Sequence, residues 1–218
     1  MNSKKFLLQP LALAALFAVS GASHAALTVF TNQASFLSTI TAVGVDGYNG
    51  FSIVGATNSP ITRNAGAYTY TAAASSSSFF GAGTVANPWL STNIATDSIT
   101  FSGFSPNVAG IGGNFFGSDI NGLFAPGNVT LVATDSFGAI STQTITAATV
   151  SSFLGFRSTG TITSLVVASV QGATPLWPTV DNLTMGVAAV GNVPEPETYA
   201  LMLAGLGVVG FMARRRRT

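Results

Sequence analysis

Aspartates are the only side chains in the central part of this sequence that could carry acid–base chemistry. Residues 26–193 contain no histidine, cysteine, lysine or glutamate. Nucleophilic sites of the Ser-His-Asp, Cys-His and Ser-Lys types therefore cannot be built there, and zinc sites with histidine or cysteine ligands are excluded. A pair of aspartates could still hydrolyse a glycosidic bond. The candidates are Asp46, Asp97, Asp119, Asp135 and Asp181.

The charge of this central part gives no support for binding to nucleic acid. Its two arginines, Arg63 and Arg157, stand against five aspartates, which gives a net charge of −3. Nucleic-acid-binding domains neutralise phosphates with clustered lysine and arginine side chains. The other basic residues of the chain lie near its two ends.

Two short acidic patterns are candidates for a structural calcium site, the only cofactor that the sequence suggests. Asp119-x-Asn121-Gly122 resembles a fragment of a calcium loop with oxygen ligands, but the other acids of such a loop are missing. An Asx turn is the interpretation that we favour. Asp181-Asn182 is a weaker pair of the same kind, and we expect it to cap a strand edge.

The two tryptophans are candidates for stacking on a ligand. Trp89 follows Pro88, and Trp177 lies between Pro175 and Pro178. The prolines place both tryptophans in loops. There an exposed indole could stack on the apolar face of a sugar ring, or it could plug the open end of a β-sandwich, which is the alternative that we favour.

The central part is predicted to be mostly β and to fold as an antiparallel β-sandwich of the jelly-roll type. Many short strands separated by Gly-rich turns, such as Gly112-Gly113 and Asn121-Gly122, are typical of such folds. We predict strands over residues 67–71, 98–102, 128–134, 140–146, 161–170 and 179–187, and a polar loop over residues 72–78. A short helix is predicted over residues 32–40, capped by Thr31 or Asn32.

Residues 1–25 have the composition of a secretory signal peptide. Lys4 and Lys5 provide the positive start, residues 11–19 are an unbroken apolar run, and Ser23-His24-Ala25 is a cleavage site of the small-x-small type. We expect export through the Sec translocon and cleavage by signal peptidase between Ala25 and Ala26. An uncleaved N-terminal anchor is the alternative.

The C-terminal segment combines a proline motif, an apolar stretch and a basic end. The motif is Val193-Pro194-Glu195-Pro196, and its prolines disfavour a helix in the residues before them. The apolar stretch, residues 199–213, predicts a single short transmembrane helix. It is shorter than the roughly 20 residues that an upright span needs. Positive charge resists translocation, so the arginines are expected to stay cytoplasmic. The apolar side chains are those of Tyr199, Leu201, Leu203, Leu206, Val208, Val209 and Phe211, and the basic cluster is Arg214, Arg215, Arg216 and Arg217.

Residues 193–217 resemble the PEP-CTERM sorting signal of Gram-negative bacteria in all three features and in their order. The resemblance implies processing by an exosortase, a membrane-embedded protease or transpeptidase that recognises Pro194, Glu195 and Pro196 and cuts nearby. It also implies transient anchoring in the inner membrane, followed by release to the cell surface or the extracellular matrix. The same tail is sometimes labelled an ice-binding protein C-terminal domain. An ordinary membrane anchor with a proline-rich stalk is the alternative.

A second resemblance concerns the central part. It resembles the ectodomains of many PEP-CTERM proteins, and this resemblance implies no particular activity. The features that carry it are Phe30 with Phe36, the stretch 111–122 and the Val-Asp-Asn-Leu end at residues 180–183. We therefore divide the chain into a signal peptide (1–25), a β-sandwich ectodomain (26–192) and a sorting and anchor segment (193–217).

Four functional hypotheses follow for the ectodomain. The leading one is a non-enzymatic structural or exopolysaccharide-associated component of a biofilm matrix. The alternatives are a carbohydrate-binding module that uses Trp89 or Trp177, an aspartate-based glycan hydrolase, and an ice-binding protein. The last rests on a threonine row on one face of a predicted strand, namely Thr142, Thr144 and Thr146.

Overall fold

Two antiparallel sheets and one short helix make up the part of the chain that the structure, a computed structural model, describes. That part comprises residues 27–105 and 107–189, together with Leu203, Gly205 and Leu206. The predicted signal peptide with its cleavage site, the sorting motif, the basic cluster and the remaining anchor residues lie outside it. The predicted predominance of antiparallel β-structure is confirmed.

The larger sheet has nine strands, in the order β1-β13-β9-β15-β7-β6-β3, with β10 paired to β9 and β2 paired to β15. Its strands are β1 (Leu27–Phe30), β2 (Ile40–Asp46), β3 (Ala56–Thr57), β6 (Phe79–Thr84), β7 (Asn87–Thr92), β9 (Gly110–Ser118), β10 (Phe124–Ala125), β13 (Phe153–Ser158) and β15 (Trp177–Ala188). We call it the large sheet.

The smaller sheet has six strands, in the order β12-β11-β14-β8-β5-β4. Its strands are β4 (Ile61–Ala65), β5 (Tyr68–Ala74), β8 (Ser98–Ser102), β11 (Gly127–Asp135), β12 (Ile140–Ala148) and β14 (Ile162–Ser169). We call it the small sheet. All six strands predicted from the sequence occur, five of them in the small sheet and the sixth as part of β15 in the large sheet. The strand β14 lies inside the small sheet, as its apolar run predicts. The predicted loop over residues 72–78 is partly wrong, because the alanines of that stretch extend β5.

The core lies between the two sheets and is built from alternating residues. Val129, Leu131 and Ala133 of β11 are fully buried, as their spacing predicts. They share one apolar cluster with Ile111 and Phe115 of β9. Successive side chains of a strand point to opposite faces, so the intervening residues of each strand face outwards.

A second, smaller core covers the outer face of the large sheet. It consists of Phe36 from helix α1 (Gln33–Leu37), Ile40 and Phe153. The helix is capped as predicted, since the side chain of Asn32 accepts a hydrogen bond from the backbone N–H of Ser35 at 3.0 Å.

Glycines make room for this outer cluster. A Cβ at Gly112 would lie 2.9 Å from the Cζ atom of Phe153, and one at Gly155 would lie 2.7 Å from the Cδ2 atom of Phe36. The prediction of a turn at Gly112-Gly113 is therefore wrong. Both residues lie inside β9, and Gly112 is needed for close packing of a ring on the sheet.

A buried polar cluster fastens the two sheets together, and we call it the clasp. Asp46 of β2 belongs to the large sheet, whereas Arg63 of β4 and Tyr70 of β5 belong to the small sheet. The guanidinium donates to both carboxylate oxygens of Asp46, from Nε at 2.7 Å and from Nη2 at 2.8 Å. The Tyr70 hydroxyl donates to the same carboxylate at 2.7 Å. Asp46 is 5% exposed and Arg63 is 20% exposed, so water screens this pair poorly.

The electrostatics of the clasp favour the ionised carboxylate. Burial alone would raise the pKa of Asp46. The hydrogen bonds from Arg63 and Tyr70 and the positive charge of Arg63 outweigh that effect, so the pKa of Asp46 lies below its ordinary value.

The backbones of the two sheets also approach closely beside the clasp. A Cβ at Gly44 of β2 would lie 2.0 Å from the carbonyl oxygen of Ala65 in β4. The Tyr68 hydroxyl donates to the carbonyl oxygen of Ala42 at 2.7 Å. The hairpin of β4 and β5 is therefore held against β2 by close packing as well as by charge.

Replacing Gly155 by alanine is expected to lower the free energy of unfolding by about 2 kcal/mol, because the added methyl group overpacks the site against Phe36. Gly172→Ala is the matched control, since nothing lies within 4 Å of an added Cβ there. Urea denaturation of both variants measures the difference. Equal stabilities of the two variants would contradict the packing argument.

Replacing Arg63 by methionine is expected to lower the free energy of unfolding by about 3 kcal/mol, because a buried carboxylate loses its partner. The double variant Asp46→Leu with Arg63→Met is expected to be more stable than Arg63→Met alone. Arg157→Met is the control, since Arg157 donates one hydrogen bond, to the carbonyl oxygen of Thr39, and is expected to cost about 1 kcal/mol.

The same variants test the pH dependence. A carboxyl whose pKa is lowered by folding stabilises the protein above its unfolded pKa of about 3.9, and this contribution is lost as the pH falls through the lower folded value. Stability should therefore fall below about pH 4, and this acid loss should shrink in Arg63→Met. It should not vanish, because the pKa values of Asp97 and Asp135 are also lowered. Identical acid profiles of wild type and Arg63→Met would count against the clasp.

Candidate functional site

A small cleft opens on the outer face of the large sheet, where β15 begins and β9 ends. Its volume is about 140 Å³. Strand register places its residues together, because Trp177 pairs with Ser118, and Phe80 pairs with Ser91. The cleft is lined by Phe80, Gly81, Ala82, Ser91, Thr92, Asn93, Ser118, Asp119, Ile120, Gly122 and Trp177.

The hydroxyl residues Ser91 and Ser118 form the floor of this cleft, and Thr179 lies beneath them. The Oγ1 atom of Thr179 donates to the Oγ atom of Ser118 at 2.8 Å, and the Oγ atom of Ser91 donates to the carbonyl oxygen of Pro178 at 3.0 Å. All three hydroxyl residues are buried. The floor is therefore polar, uncharged and fixed in place by its own hydrogen bonds.

Trp177 forms one wall of the cleft and is held in position. Its indole Nε1 donates to the backbone carbonyl oxygen of Asn93 at 3.3 Å, and the side chain is half-buried. The prediction that Trp177 lies in a loop is wrong, because it is the first residue of β15. A proline after it is tolerated at the start of a strand.

Trp89 lies on the same face of the sheet but does not line the cleft. It is also inside a strand, β7, and not in a loop as predicted. Its ring meets that of Phe116 edge-on, with centroids 4.9 Å apart and an interplanar angle of 88°. This half-buried packing position makes Trp89 the weaker of the two stacking candidates.

Asp119 stands at the rim of the cleft, in the loop that follows β9. Its Oδ1 atom accepts hydrogen bonds from the backbone N–H groups of Asn121 and Leu123, both at 2.9 Å, which is the predicted Asx turn. The loop is fixed to the hairpin of β6 and β7, because the N–H of Gly83 donates to the carbonyl of Gly122 at 2.8 Å. Within residues 27–105 and 107–189, no group of three or more acidic or imidazole side chains could hold a metal ion.

Two other aspartates organise loops away from the cleft. Asp97 accepts hydrogen bonds from the hydroxyls of three serines at residues 75–77. Asp135 accepts the hydroxyl of Ser158 at 2.7 Å and two backbone N–H groups. In each case the hydrogen bonds outweigh the opposing effect of burial, so the pKa of both carboxyls is lowered.

Asp181 lies in the middle of β15, not at a strand edge as predicted. The register of β15 against β9 shifts between Asp181 and Thr184, and Asn182 has a φ of 52°. The Oδ1 atom of Asp181 accepts the N–H of Asn182 at 2.7 Å. Burial raises the pKa of this carboxyl. The pair therefore belongs to a β-bulge inside the sheet.

The threonine row of the ice-binding hypothesis lies on β12, an edge strand of the small sheet. Thr142, Thr144 and Thr146 are exposed on one face, as their alternation predicts. The Oγ1 atom of Thr144 lies 3.0 Å from that of Thr130 on the neighbouring strand. The row is short and occurs on this strand without a repeat.

The sequence patterns indicate Trp177 and Asp119 at the cleft, but not Ser91 and Ser118 of its floor or Thr179 beneath them. The three hydroxyl residues meet only because β7, β9 and β15 are neighbours in the sheet. The alternation of Trp177 and Thr179 within one strand was a usable signal. No comparable signal exists for Ser118, because the turn predicted at Gly112-Gly113 interrupts the strand that ends at this residue.

Little of the C-terminal segment is described. Leu203, Gly205 and Leu206 are helical, and the two leucine side chains are exposed. Among the described residues, no helix is both long and apolar enough to cross a bilayer.

Comparison with known families identifies the end of the chain. A family model described as the PEP-CTERM protein-sorting motif matches residues 192–217. The chain carries a PEP-CTERM sorting motif. The motif implies export and membrane-associated sorting by an exosortase, which is the processing partner of such tails. No curated protein and no solved structure matches the chain.

Proposed function

We propose that this PEP-CTERM protein is a non-enzymatic component of the cell surface or the extracellular matrix that binds exopolysaccharide through the cleft at Trp177. The observation that carries the proposal is the meeting of a fixed half-buried indole with a floor of neutral hydroxyl groups in one small concavity.

The chemistry of this cleft matches that of a sugar ring. A pyranose presents an apolar face of C–H groups together with a rim of hydroxyl groups. An indole offers a large rigid apolar surface at a low cost in conformational entropy. Hydroxyl, amide and carboxylate groups nearby can exchange hydrogen bonds with the sugar hydroxyls. In this cleft Trp177 provides the indole, Asn93 the amide group and Asp119 the carboxylate.

Binding is favoured over hydrolysis by the positions of the aspartates. Glycoside hydrolysis by the usual route requires two carboxyl groups that flank the scissile bond. Asp119 is the acidic residue among those that line the cleft. Asp46, Asp97 and Asp135 are engaged in hydrogen bonds that support the fold. The ectodomain is therefore proposed to act without catalysis and without a cofactor.

The route to the surface is proposed from the two ends of the chain. Signal peptidase would cut between Ala25 and Ala26 after translocation by the Sec machinery. The helix after the sorting motif would anchor the chain in the inner membrane, with the arginine cluster of residues 214–217 in the cytoplasm. An exosortase would then cut near Pro194-Glu195-Pro196 and release the ectodomain, residues 26–192.

The intact mass of the protein from its native host is expected to correspond to a chain that begins at Ala26 and ends near residues 194–196. Replacing Glu195 by alanine should block this processing, and the mass should then retain the C-terminal arginines. Glu197→Ala is the matched control, since Glu197 lies just outside the motif. Retention of the arginines in the wild type would contradict sorting by cleavage.

Replacing Trp177 by alanine is expected to weaken binding to the host exopolysaccharide by at least about tenfold, because the stacking surface is lost. Affinity electrophoresis or calorimetry with the purified polysaccharide measures the change. Trp177→Phe should retain part of the affinity.

Phe137→Ala is the control for this experiment, since Phe137 is an aromatic residue that is 65% exposed and lies at the turn after β11, away from the cleft. It should bind as the wild type does. Undiminished binding by Trp177→Ala would refute the proposed site, and release of sugar ends by the wild type would refute the non-enzymatic role.

A further inference from the structure

We infer that the cleft selects neutral polysaccharide chains against polyuronates, and that Asp119 is the residue that sets this selectivity. The inference rests on the proposed function and specifies the class of ligand for the same site.

The shape of the surface indicates a chain and not a single sugar as the ligand. A second groove of about 540 Å³ lies next to the cleft and is lined by residues 125–128, by residues of the stretch 170–176 and by Asp119. Asp119 therefore lines both concavities, and Leu176 of the groove directly precedes Trp177 of the cleft. Two adjoining concavities can bind successive units of one polymer, and the linked contacts raise the affinity over that of a single unit.

The charge of the site disfavours an anionic polymer. Neither arginine of residues 27–105 and 107–189 lines the cleft or the groove. Arg63 is bound to Asp46, and Arg157 donates to the carbonyl of Thr39. A uronate would lose part of its hydration at this surface without meeting a cation, and it would be repelled by the Asp119 carboxylate.

The same carboxylate favours a neutral polyol. The Oδ1 atom of Asp119 is occupied by two backbone N–H groups, and no hydrogen bond to its Oδ2 atom occurs among the described residues. Oδ2 can therefore accept a charge-assisted hydrogen bond from a sugar hydroxyl at the junction of the two concavities. One residue thus contributes affinity for neutral sugars and repulsion of acidic ones.

The substitution Asp119→Asn tests these two effects on binding while leaving the fold intact. The amide oxygen of asparagine can still accept both backbone N–H groups, so the Asx turn and the melting temperature should be preserved. The variant loses the negative charge and its second acceptor oxygen. Leu123→Ala, next to the same turn and 57% exposed, is the matched control.

The experiment compares a neutral glucan, a neutral mannan and polygalacturonate by calorimetry at low salt, with single sugars and tetrasaccharides of the neutral series. The wild type should bind at least one neutral polymer at least about tenfold more tightly than polygalacturonate. The tetrasaccharide should bind at least about tenfold more tightly than the single sugar. In Asp119→Asn the neutral affinity should fall about tenfold and the discrimination against polygalacturonate should shrink.

The outcomes separate the two proposals. Binding of polygalacturonate as tightly as the neutral polymers, or an unchanged affinity ratio in Asp119→Asn, would overturn the inferred selectivity and leave polysaccharide binding intact. Equal affinity for the single sugar and the tetrasaccharide would overturn the chain-binding part. If no polymer, neutral or acidic, binds in a Trp177-dependent manner, the proposed function itself fails.

Discussion

The ion pair between Asp46 and Arg63 is the contact through which the two sheets hold their relative position at one edge of the sandwich. Apolar packing is non-directional and does not by itself fix the relative position of two sheets, and this chain has no disulfides and few charges that could do so. The position is fixed here by the bidentate guanidinium, by a tyrosine hydroxyl and by the close approach of Gly44 to Ala65. At another edge, the hydrogen bond from Ser158 of the large sheet to Asp135 of the small sheet has the same role. Most of the few aspartates in the two sheets and their loops therefore stabilise the fold.

The same division of roles explains the character of the cleft. Since most of the acidic side chains hold loops and sheets together, the polar groups that line the cleft are neutral hydroxyl, amide and indole groups together with the single carboxylate of Asp119. Such groups can form directional but weak contacts with polyols, and contacts of this kind would suit the proposed reversible binding along a polymer. The hydrogen bonds among Ser91, Ser118 and Thr179 fix the geometry of the cleft floor, and preorganisation of this kind would lower the entropic cost of binding the proposed ligand.

Local sequence patterns predicted the small sheet better than the large one. β11 and β12 alternate clearly, because one face of each strand is buried and the other is solvated. β9 is buried on both faces and contains glycines that lie beneath the rings of Phe36 and Phe153, so its residues resembled a turn. The prolines beside both tryptophans likewise indicated loops, although they stand near the starts of strands. Asp119 and Trp177 could be selected one by one, but their meeting depends on strand order, which has no local signature.

The length of β15 determines how far the cleft lies from the end of the strand that leads to the C-terminal segment. The strand runs from Trp177 at the cleft to Ala188, and the next residue is hydrogen-bonded to Thr39 at the other end of the large sheet. At about 3.3 Å per residue these two ends are separated by about 35 Å along the strand. The attachment point of the tail and the cleft thus lie at opposite poles. In a protein held through its C-terminus, the proposed binding cleft would therefore lie at the end of β15 that is farther from the point of attachment.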